Sequence, residues 1–171
     1  MRVAKIEKNS IANGPGVRLV VWCQGCSVRC KGCHNPQTWD MSGGRELNLK
    51  DLVDIKEYLA NDYVDGVTFS GGNPLEPETV EILVTLLHGI RNRFPKKTIW
   101  LYTGFDLTYN SIMENNKTSE CIRLCDVVVD GPYIESERDL RLPYCGSRNQ
   151  RVIDIKQTLQ NKKITLWEEQ N

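Results

Sequence analysis

Residues 17–35 read VRLVVWCQGCSVRCKGCHN, and the predicted architecture rests on this stretch. Its first six residues, Val17 to Trp22, are rich in β-branched and apolar side chains, which predicts a strand buried in a parallel sheet. A loop that holds four cysteines follows the strand directly. Since ligand sites of α/β folds lie at the carboxyl ends of such strands, we expect a site in this loop.

Three of these cysteines, Cys26, Cys30 and Cys33, form a C-x3-C-x2-C triplet. Three thiolates on one short loop can converge on a single inorganic centre, whereas a structural zinc site or a ferredoxin-type cluster takes four protein ligands. A 4Fe–4S cluster held by three thiolates leaves one iron free to bind a small molecule. The alternative is a zinc site, and the thiols that would be available to complete it are Cys23, Cys121, Cys125 and Cys145.

Strands and helices alternate along the rest of the chain. The further predicted strands are an edge-like strand over residues 2–11 and strands over 67–69, 98–102, 126–129 and 151–155. Helices are predicted over 49–60 and 78–93, a broken helical region over 106–125, and a short helix after the last strand. This alternation predicts a mostly parallel sheet with right-handed crossovers. A closed barrel takes roughly 250 residues, so for 171 residues we expect an α/β fold with an open partial (β/α) barrel. We expect a single domain over residues 1–171, with the cysteine loop at 23–35.

Each of the two longer predicted helices carries an apolar stripe at helical spacing. In the first helix the predicted core-facing residues are Leu49, Leu52, Val53 and Leu59. In the second they are Val80, Leu83, Val84 and Leu87.

Composition excludes several functional classes. Lysine plus arginine and aspartate plus glutamate both number 22, so the chain has no net charge, which argues against a general nucleic-acid or membrane-surface binder. No apolar run approaches the ~20 residues that span a bilayer, and the N-terminus has no signal-peptide pattern. We therefore expect a cytoplasmic protein with no nucleic-acid or membrane partner. Seven cysteines, three of them crowded together, indicate a metal site in a reducing compartment rather than disulfides.

Small and polar residues follow the other predicted strands. Gly71 and Gly72 come after the second core strand, where successive backbone N–H groups can form a nest for a carboxylate. Thr103 and Asp130 follow the next two strands. Each residue alone is typical of an ordinary turn. Because the carboxyl ends of parallel strands share one edge of a sheet, we expect these loops to lie beside the cysteines.

The cysteine triplet after one core strand and Gly71-Gly72 after the next resemble the radical S-adenosylmethionine superfamily. Segments similar to the activating enzymes of glycyl-radical enzymes are Asn13–Arg18 (NGPGVR), Cys33–Asn35 (CHN) with Thr38-Trp39, and Ser70–Leu75 (SGGNPL). Segments that resemble the branch acting on anaerobic (class III) ribonucleotide reductase are Ile99–Gly104, Asp126–Gly131 and Gly146–Arg151. The resemblance covers roughly residues 9 to 155.

The resemblance implies a set of site residues. Cys26, Cys30 and Cys33 would bind a 4Fe–4S cluster whose open iron chelates S-adenosylmethionine. The residues implied in binding that cofactor are Gly71, Gly72 and Asn73 at its amino-acid end, Gly32 and His34 near its adenine, and Thr103 and Asp130 at the neighbouring strand ends.

The resemblance also implies an activity. Reductive cleavage would give methionine and a 5′-deoxyadenosyl radical, which would take a hydrogen from a glycine of the partner, the large subunit of anaerobic ribonucleotide reductase. A low-potential electron donor would be a second partner. The protein would position the cofactor and exclude competing reactions.

Three positions depart from the pattern of this branch. His34 stands where tyrosine is usual and matches the related activators of formate lyase, Asn73 is neutral where an acid is common, and Cys145 replaces an arginine. The alternatives are therefore another glycyl-radical target, such as formate lyase, and a non-catalytic zinc- or cluster-binding module.

Overall fold

The computed structural model describes residues 1–168, and its centre is a seven-stranded sheet in the order β3-β1-β2-β4-β5-β6-β7. The strands are β1 (Arg2–Ser10), β2 (Arg18–Cys23), β3 (Arg45–Glu46), β4 (Gly66–Gly71), β5 (Thr98–Tyr102), β6 (Val127–Asp130) and β7 (Arg151–Asp154). The α-helices are α1 (Leu49–Leu59), α2 (Pro77–Arg93), α3 (Tyr109–Met113), α4 (Lys117–Leu124) and α5 (Ile155–Asn161). Short 3-10 helices cover Pro36–Thr38 and Glu135–Glu137.

The four middle strands, β2, β4, β5 and β6, pair in parallel, while the outer pairs are antiparallel. This confirms a mixed α/β fold with a largely parallel centre. The prediction that β1 is an edge strand is wrong, since the two-residue β3 pairs with its outer side. The partial barrel and the single domain stay predictions, and residues 169–171 lie outside the described residues.

The helices cover one face of the sheet. Alternate strand residues, among them Leu19, Val21, Phe69 and Leu101, face the helices and are fully buried in one continuous core. The predicted stripe of α2 is confirmed, because Val80, Leu83, Val84 and Leu87 are all buried in this core. The broken region is also confirmed, as α3 and α4.

The predicted stripe of α1 is wrong for three of its four residues. Leu59 is buried, but Leu49 is 81% exposed and Val53 is 51% exposed. The core contact is made instead by Ile55, Tyr58 and Leu59, at the i, i+3, i+4 spacing of one helical face. The apolar residues of α1 extend around the helix beyond the part that meets the sheet, so the periodicity alone did not identify the buried face.

The opposite face of the sheet carries an aromatic cluster and a buried cation. Trp100 of β5 packs edge-on against Tyr144 and Trp167, with ring centroids 5.0 and 5.2 Å away. Beside Trp100, the fully buried Arg18 donates hydrogen bonds to β4 and β5, including one of 2.7 Å to Thr68. These contacts hold the three central strands together below the cysteine loop.

The parallel register brings the carboxyl ends of the middle strands to one edge. Cys23, the last residue of β2, pairs with Gly71 of β4, and Tyr102 of β5 pairs with Val129 of β6. The loops that follow these strands therefore start side by side, as the alternation of strands and helices predicted. Within residues 1–168, no helix is both long and apolar enough to cross a membrane.

Candidate iron–sulfur site

The cysteine loop is closed at its base by backbone hydrogen bonds. Gly25 N–H donates to the Thr38 carbonyl over 2.8 Å, and Cys26 N–H donates to the Trp39 carbonyl over 3.3 Å. The buried Gln24 side chain donates to two further carbonyls of the segment that closes the loop, those of Gln37 and Asp40. Residues 24–40 therefore form a loop at the end of β2 whose two ends are joined by hydrogen bonds.

The three thiols of the triplet are free and half-buried on this loop. Burial raises the pKa of the Cys30 thiol, a hydrogen bond from the Tyr133 backbone N–H opposes that rise, and the nearby Cys33 and Cys26 thiols add to it. Both neighbouring thiols contribute to the shift at Cys30, which indicates an electrostatic interaction among the three. In the described part of the chain, no three His, Cys, Asp or Glu side chains are grouped as ligands of a single metal ion.

A segment after β6 lies across the cysteine loop. A Cβ at Gly32 would come within 3.0 Å of the Glu135 carboxylate and 3.3 Å of the Tyr133 ring. The ring of His34 lies 5.4 Å from that of Tyr133. Gly32 has φ +75°, a left-handed conformation in which glycine is strongly favoured. Gly32 and His34 thus line the space under this segment, and their contact with adenine stays a prediction.

The glycine loop packs directly against the base of the cysteine loop. Gly72 N–H donates to the Cys23 carbonyl and Asn73 N–H to the Gly25 carbonyl, each over 2.8 Å. The expected nest of free N–H groups is therefore wrong at these two positions, because neighbouring carbonyls already occupy them. A Cβ on Gly72 would lie 2.3 Å from the Gly25 oxygen, so only glycine allows this approach.

Asn73 and Thr103 bond to each other inside the protein. The Asn73 side chain is buried, and its carbonyl oxygen accepts a 2.9 Å hydrogen bond from the Thr103 hydroxyl. The Thr103 oxygen in turn accepts from Phe105 N–H. The two side chains join the β4 and β5 loops, and a contact of either with a cofactor stays a prediction.

Asp130 is fully buried at the end of β6. Its carboxylate accepts hydrogen bonds from the Arg151 guanidinium and from Leu107 N–H, the latter over 2.8 Å. The bond to Asp130 raises the pKa of Arg151. Asp130 thus fixes the β6 end to β7, and its predicted cofactor contact stays untested.

The other four cysteines lie in other parts of the fold. Cys23, Cys121 and Cys125 lie in the core on the helix side of the sheet, and Cys145 is half-buried beside the aromatic cluster. Burial raises the pKa of Cys23 and Cys121 to about 12 and that of Cys145 to about 11. Cys121 and Cys125 are thus buried free thiols, and Cys23 packs in the core at the end of β2.

Sequence reasoning missed several residues that border the site. Glu76 is buried and bonds to Ser27 of the cysteine loop, a contact between residues 49 positions apart that no local pattern signals. In the described residues, two buried side-chain polar atoms lack a partner: the Trp39 indole nitrogen and the Asn149 side-chain oxygen. Both belong to motif segments quoted above, but their unpaired atoms appear only in the structure.

The residues present fit an iron–sulfur cluster. Three thiols lie on the one loop after β2, and thiolates are the usual protein ligands of iron–sulfur clusters.

Comparison with known proteins gives a consistent set of relatives. The family described as a 4Fe-4S single cluster domain matches residues 12–153. The anaerobic ribonucleoside-triphosphate reductase-activating protein of Enterobacteria phage T4 is 34% identical over 152 residues, which are 89% of this chain and 93% of the relative. The protein of the same name from Vibrio cholerae is 33% identical over 146 residues, 83% of this chain and 90% of the relative. That of Escherichia coli (strain K12) is 33% identical over 148 residues, 83% of this chain and 91% of the relative.

Proposed function

Because the chain belongs to the family of the anaerobic ribonucleoside-triphosphate reductase-activating proteins, we propose that it is a radical S-adenosylmethionine enzyme that generates a glycyl radical on anaerobic ribonucleotide reductase. One electron from a donor would cleave S-adenosylmethionine to methionine and a 5′-deoxyadenosyl radical, and that radical would take a hydrogen atom from a glycine of the reductase and leave as 5′-deoxyadenosine. The observation that carries the proposal is the presence of three free thiols on the one loop after β2, beside the glycine loop after β4.

Cys26, Cys30 and Cys33 would hold a 4Fe–4S cluster. When bound, the cluster would supply the single electron that breaks the sulfonium carbon–sulfur bond. The chain provides three thiols at this edge, while Cys23, Cys121 and Cys125 are buried in the core on the helix side of the sheet. This separation supports a cluster with one iron left open for a ligand.

The protein's own part is to bind and orient S-adenosylmethionine. Gly71 and Gly72 carry no side chains, so a ligand can approach the backbone closely. Because the Gly72 and Asn73 N–H groups are already bonded, we propose that the carbonyl groups of this loop receive the ammonium end. Gly32 and His34, under the Tyr133 segment, would take the adenine end.

The other implied residues would act mainly by shaping the pocket. Asn73 and Thr103 are bonded to each other, and Asp130 to Arg151, which supports a role in holding the loop ends. An open partial barrel would enclose the cofactor and exclude water. We also propose that a low-potential electron donor reduces the cluster and that the protein is located in the cytoplasm.

The test uses the anaerobically reconstituted protein with anaerobic ribonucleotide reductase, a reductant and S-adenosylmethionine. We expect 5′-deoxyadenosine in the mixture and a carbon-centred radical signal on the reductase by electron paramagnetic resonance, with neither product from Cys30→Ala. A radical on formate lyase but none on the reductase would move the target to the alternative that His34 suggests. Tightly bound zinc with no cofactor cleavage would refute the enzymatic proposal.

A further inference from the structure

Glu76 presents a buried carboxylate to the cysteine loop. Only 4% of the residue is exposed. One of its carboxylate oxygens accepts hydrogen bonds from Ser27 N–H over 2.8 Å and from the Ser27 hydroxyl over 2.7 Å. The same oxygen accepts from the Asn73 side-chain amide over 3.2 Å. A single atom therefore joins the residue after Cys26 to the residue after Gly72.

The Glu76 carboxylate does not cap α2, the helix that begins after it. Glu76 is the N-cap residue of α2, yet its side chain makes no capping hydrogen bond. Ser, Thr, Asp and Asn are the residues favoured at that position. Within residues 1–168, Glu76 takes part in none of the ion pairs either. Its three hydrogen bonds to loop donors are thus the contacts that account for an acid buried here.

The contacts of Glu76 extend across three loops. From Glu76 the chain of hydrogen bonds runs to Asn73, then to Thr103, and then to Phe105 N–H. The loops after β2, β4 and β5 are therefore linked by side chains as well as by the sheet. Ser27 is the point at which this network reaches the cysteine loop, between Cys26 and Cys30.

We propose that Glu76 is a positioning residue that docks the Cys26–Cys30 segment onto the glycine loop through Ser27. The inference rests on the proposed iron–sulfur function of this loop. The backbone of Gly25 and Cys26 is fixed by bonds to residues 38, 39 and 73. Glu76 extends that support to the next residue of the loop, on the way to Cys30. Partners that orient ligand-bearing segments in this way typically change metal affinity by about 10–100-fold when they are removed.

The first measurement follows amide hydrogen exchange in the cluster-free protein, so it does not depend on the cofactor. In Glu76→Ala we expect protection of the Ser27 amide to fall at least tenfold, because its acceptor is lost. Glu76→Gln keeps an acceptor oxygen and should retain part of the protection. Glu78→Gln is the matched control, since Glu78 is an exposed acid two residues further on, and it should match the wild type.

The second measurement follows iron release from the reconstituted protein into a chelator. It also records the electron paramagnetic resonance spectrum of the reduced cluster. We expect Glu76→Ala to release iron roughly tenfold faster than wild type and to change the spectrum. Ser27→Ala should have a smaller effect in the same direction, because it removes the hydroxyl bond and keeps the Ser27 N–H bond to Glu76. The double variant should be no faster than Glu76→Ala alone, because Glu76→Ala already removes both bonds.

The outcomes separate this inference from the proposed function. Wild-type iron release and Ser27 protection in Glu76→Ala would overturn the inference while the cluster itself stands. A wild-type protein that binds no iron and sulfide would instead overturn the proposed function. If Glu76→Ala does not fold, Glu76→Gln and Ser27→Ala take its place, and wild-type iron release in both would refute the role of the Glu76 contact.

Discussion

The seven cysteine thiols of the chain differ in how deeply they are buried. Cys26, Cys30 and Cys33 are half-buried on the loop after β2. Burial raises the pKa of Cys23 and Cys121 to about 12 and raises that of Cys125 as well. A thiol with a pKa of 12 is thiolate in only about one molecule in ten thousand at pH 8. Burial thus distinguishes the three thiols in the core from the three loop thiols that would bind iron.

This difference predicts the order of alkylation in the cluster-free protein. At pH 8, iodoacetamide should modify Cys26, Cys30 and Cys33 first, while Cys23 and Cys121 should react at least a hundredfold more slowly because they are buried and protonated. Mass spectrometry of peptides after timed quenching measures each rate. Rapid labelling of Cys121 in the folded protein at pH 8 would contradict the assigned environments.

Substitution of single cysteines gives the corresponding prediction for the cluster. Cys26→Ala, Cys30→Ala and Cys33→Ala should each lose most bound iron and all S-adenosylmethionine cleavage, because each removes one of three proposed ligands. Cys121→Ser is the matched control and should retain both, since Cys121 lies in the core. Iron and sulfide analysis after reconstitution measures the effect, and loss of the cluster in Cys121→Ser would overturn the ligand set.

At the scale of elements, the site depends on how closely the loops after β2 and β4 approach. Gly72 is held by its N–H bond to Cys23, and its α-carbon faces the Gly25 carbonyl. The sequence indicated a glycine loop near the cysteines, and that arrangement is confirmed. It also suggested free N–H groups. That was wrong, because the N–H groups of Gly72 and Asn73 donate to the carbonyls of Cys23 and Gly25, at the end of β2. Such long-range partners are not encoded in a local pattern.

Two glycine substitutions test this approach. In Gly72→Ala the new Cβ would lie 2.3 Å from the Gly25 oxygen, so the loops must separate, and we expect the free energy of unfolding to fall by about 2–4 kcal/mol and the bound iron to decrease. In Gly89→Ala, within α2, the Cβ meets no atom within 4 Å, and a gain of up to about 1 kcal/mol is expected. Denaturant unfolding of both cluster-free variants measures the difference, and equal stabilities would contradict the predicted contact.

The helices show which parts of the fold were predictable. The stripe of α2 identified its buried face because the helix lies with its full length on the sheet side. The stripe of α1 did not, because Leu49 and Val53 are apolar but point away from the core. The boundaries of β4 were also set by pairing, since Gly66 and Gly71 join the strand through their partners on β2. Periodicity reports the composition of a face, and tertiary contacts decide which face is covered.

For the whole molecule, the order of the sheet determines the site. Parallel pairing of β2, β4, β5 and β6 was predicted from the alternation of strands and helices, and it brings the loops to one edge. The antiparallel flanks were not predicted, because the residue pattern of a strand does not show the direction in which it pairs. Arg18 ties β2 to β4 and β5 through four hydrogen bonds, and burial lowers the pKa of its guanidinium to about 10, so it stays charged at pH 7.

Removal of that cation should weaken the entire sheet. Arg18→Met leaves buried acceptors on β4 and β5 without donors, and we expect a loss of about 3 kcal/mol in the free energy of unfolding. Arg138→Met, at an exposed arginine, is the control and should change stability by less than about 0.5 kcal/mol. Urea denaturation followed by circular dichroism measures both, and an unchanged midpoint in Arg18→Met would show that the buried network contributes nothing.

The most direct test of the proposed function is electron paramagnetic resonance of the anaerobically reconstituted and reduced protein, with and without S-adenosylmethionine. We predict the signal of a reduced 4Fe–4S cluster, and a change in its shape when the ligand is added, because three thiols leave one iron open to it. A protein that carries zinc and gives no cluster signal, or a cluster signal that S-adenosylmethionine leaves unchanged, would contradict the account.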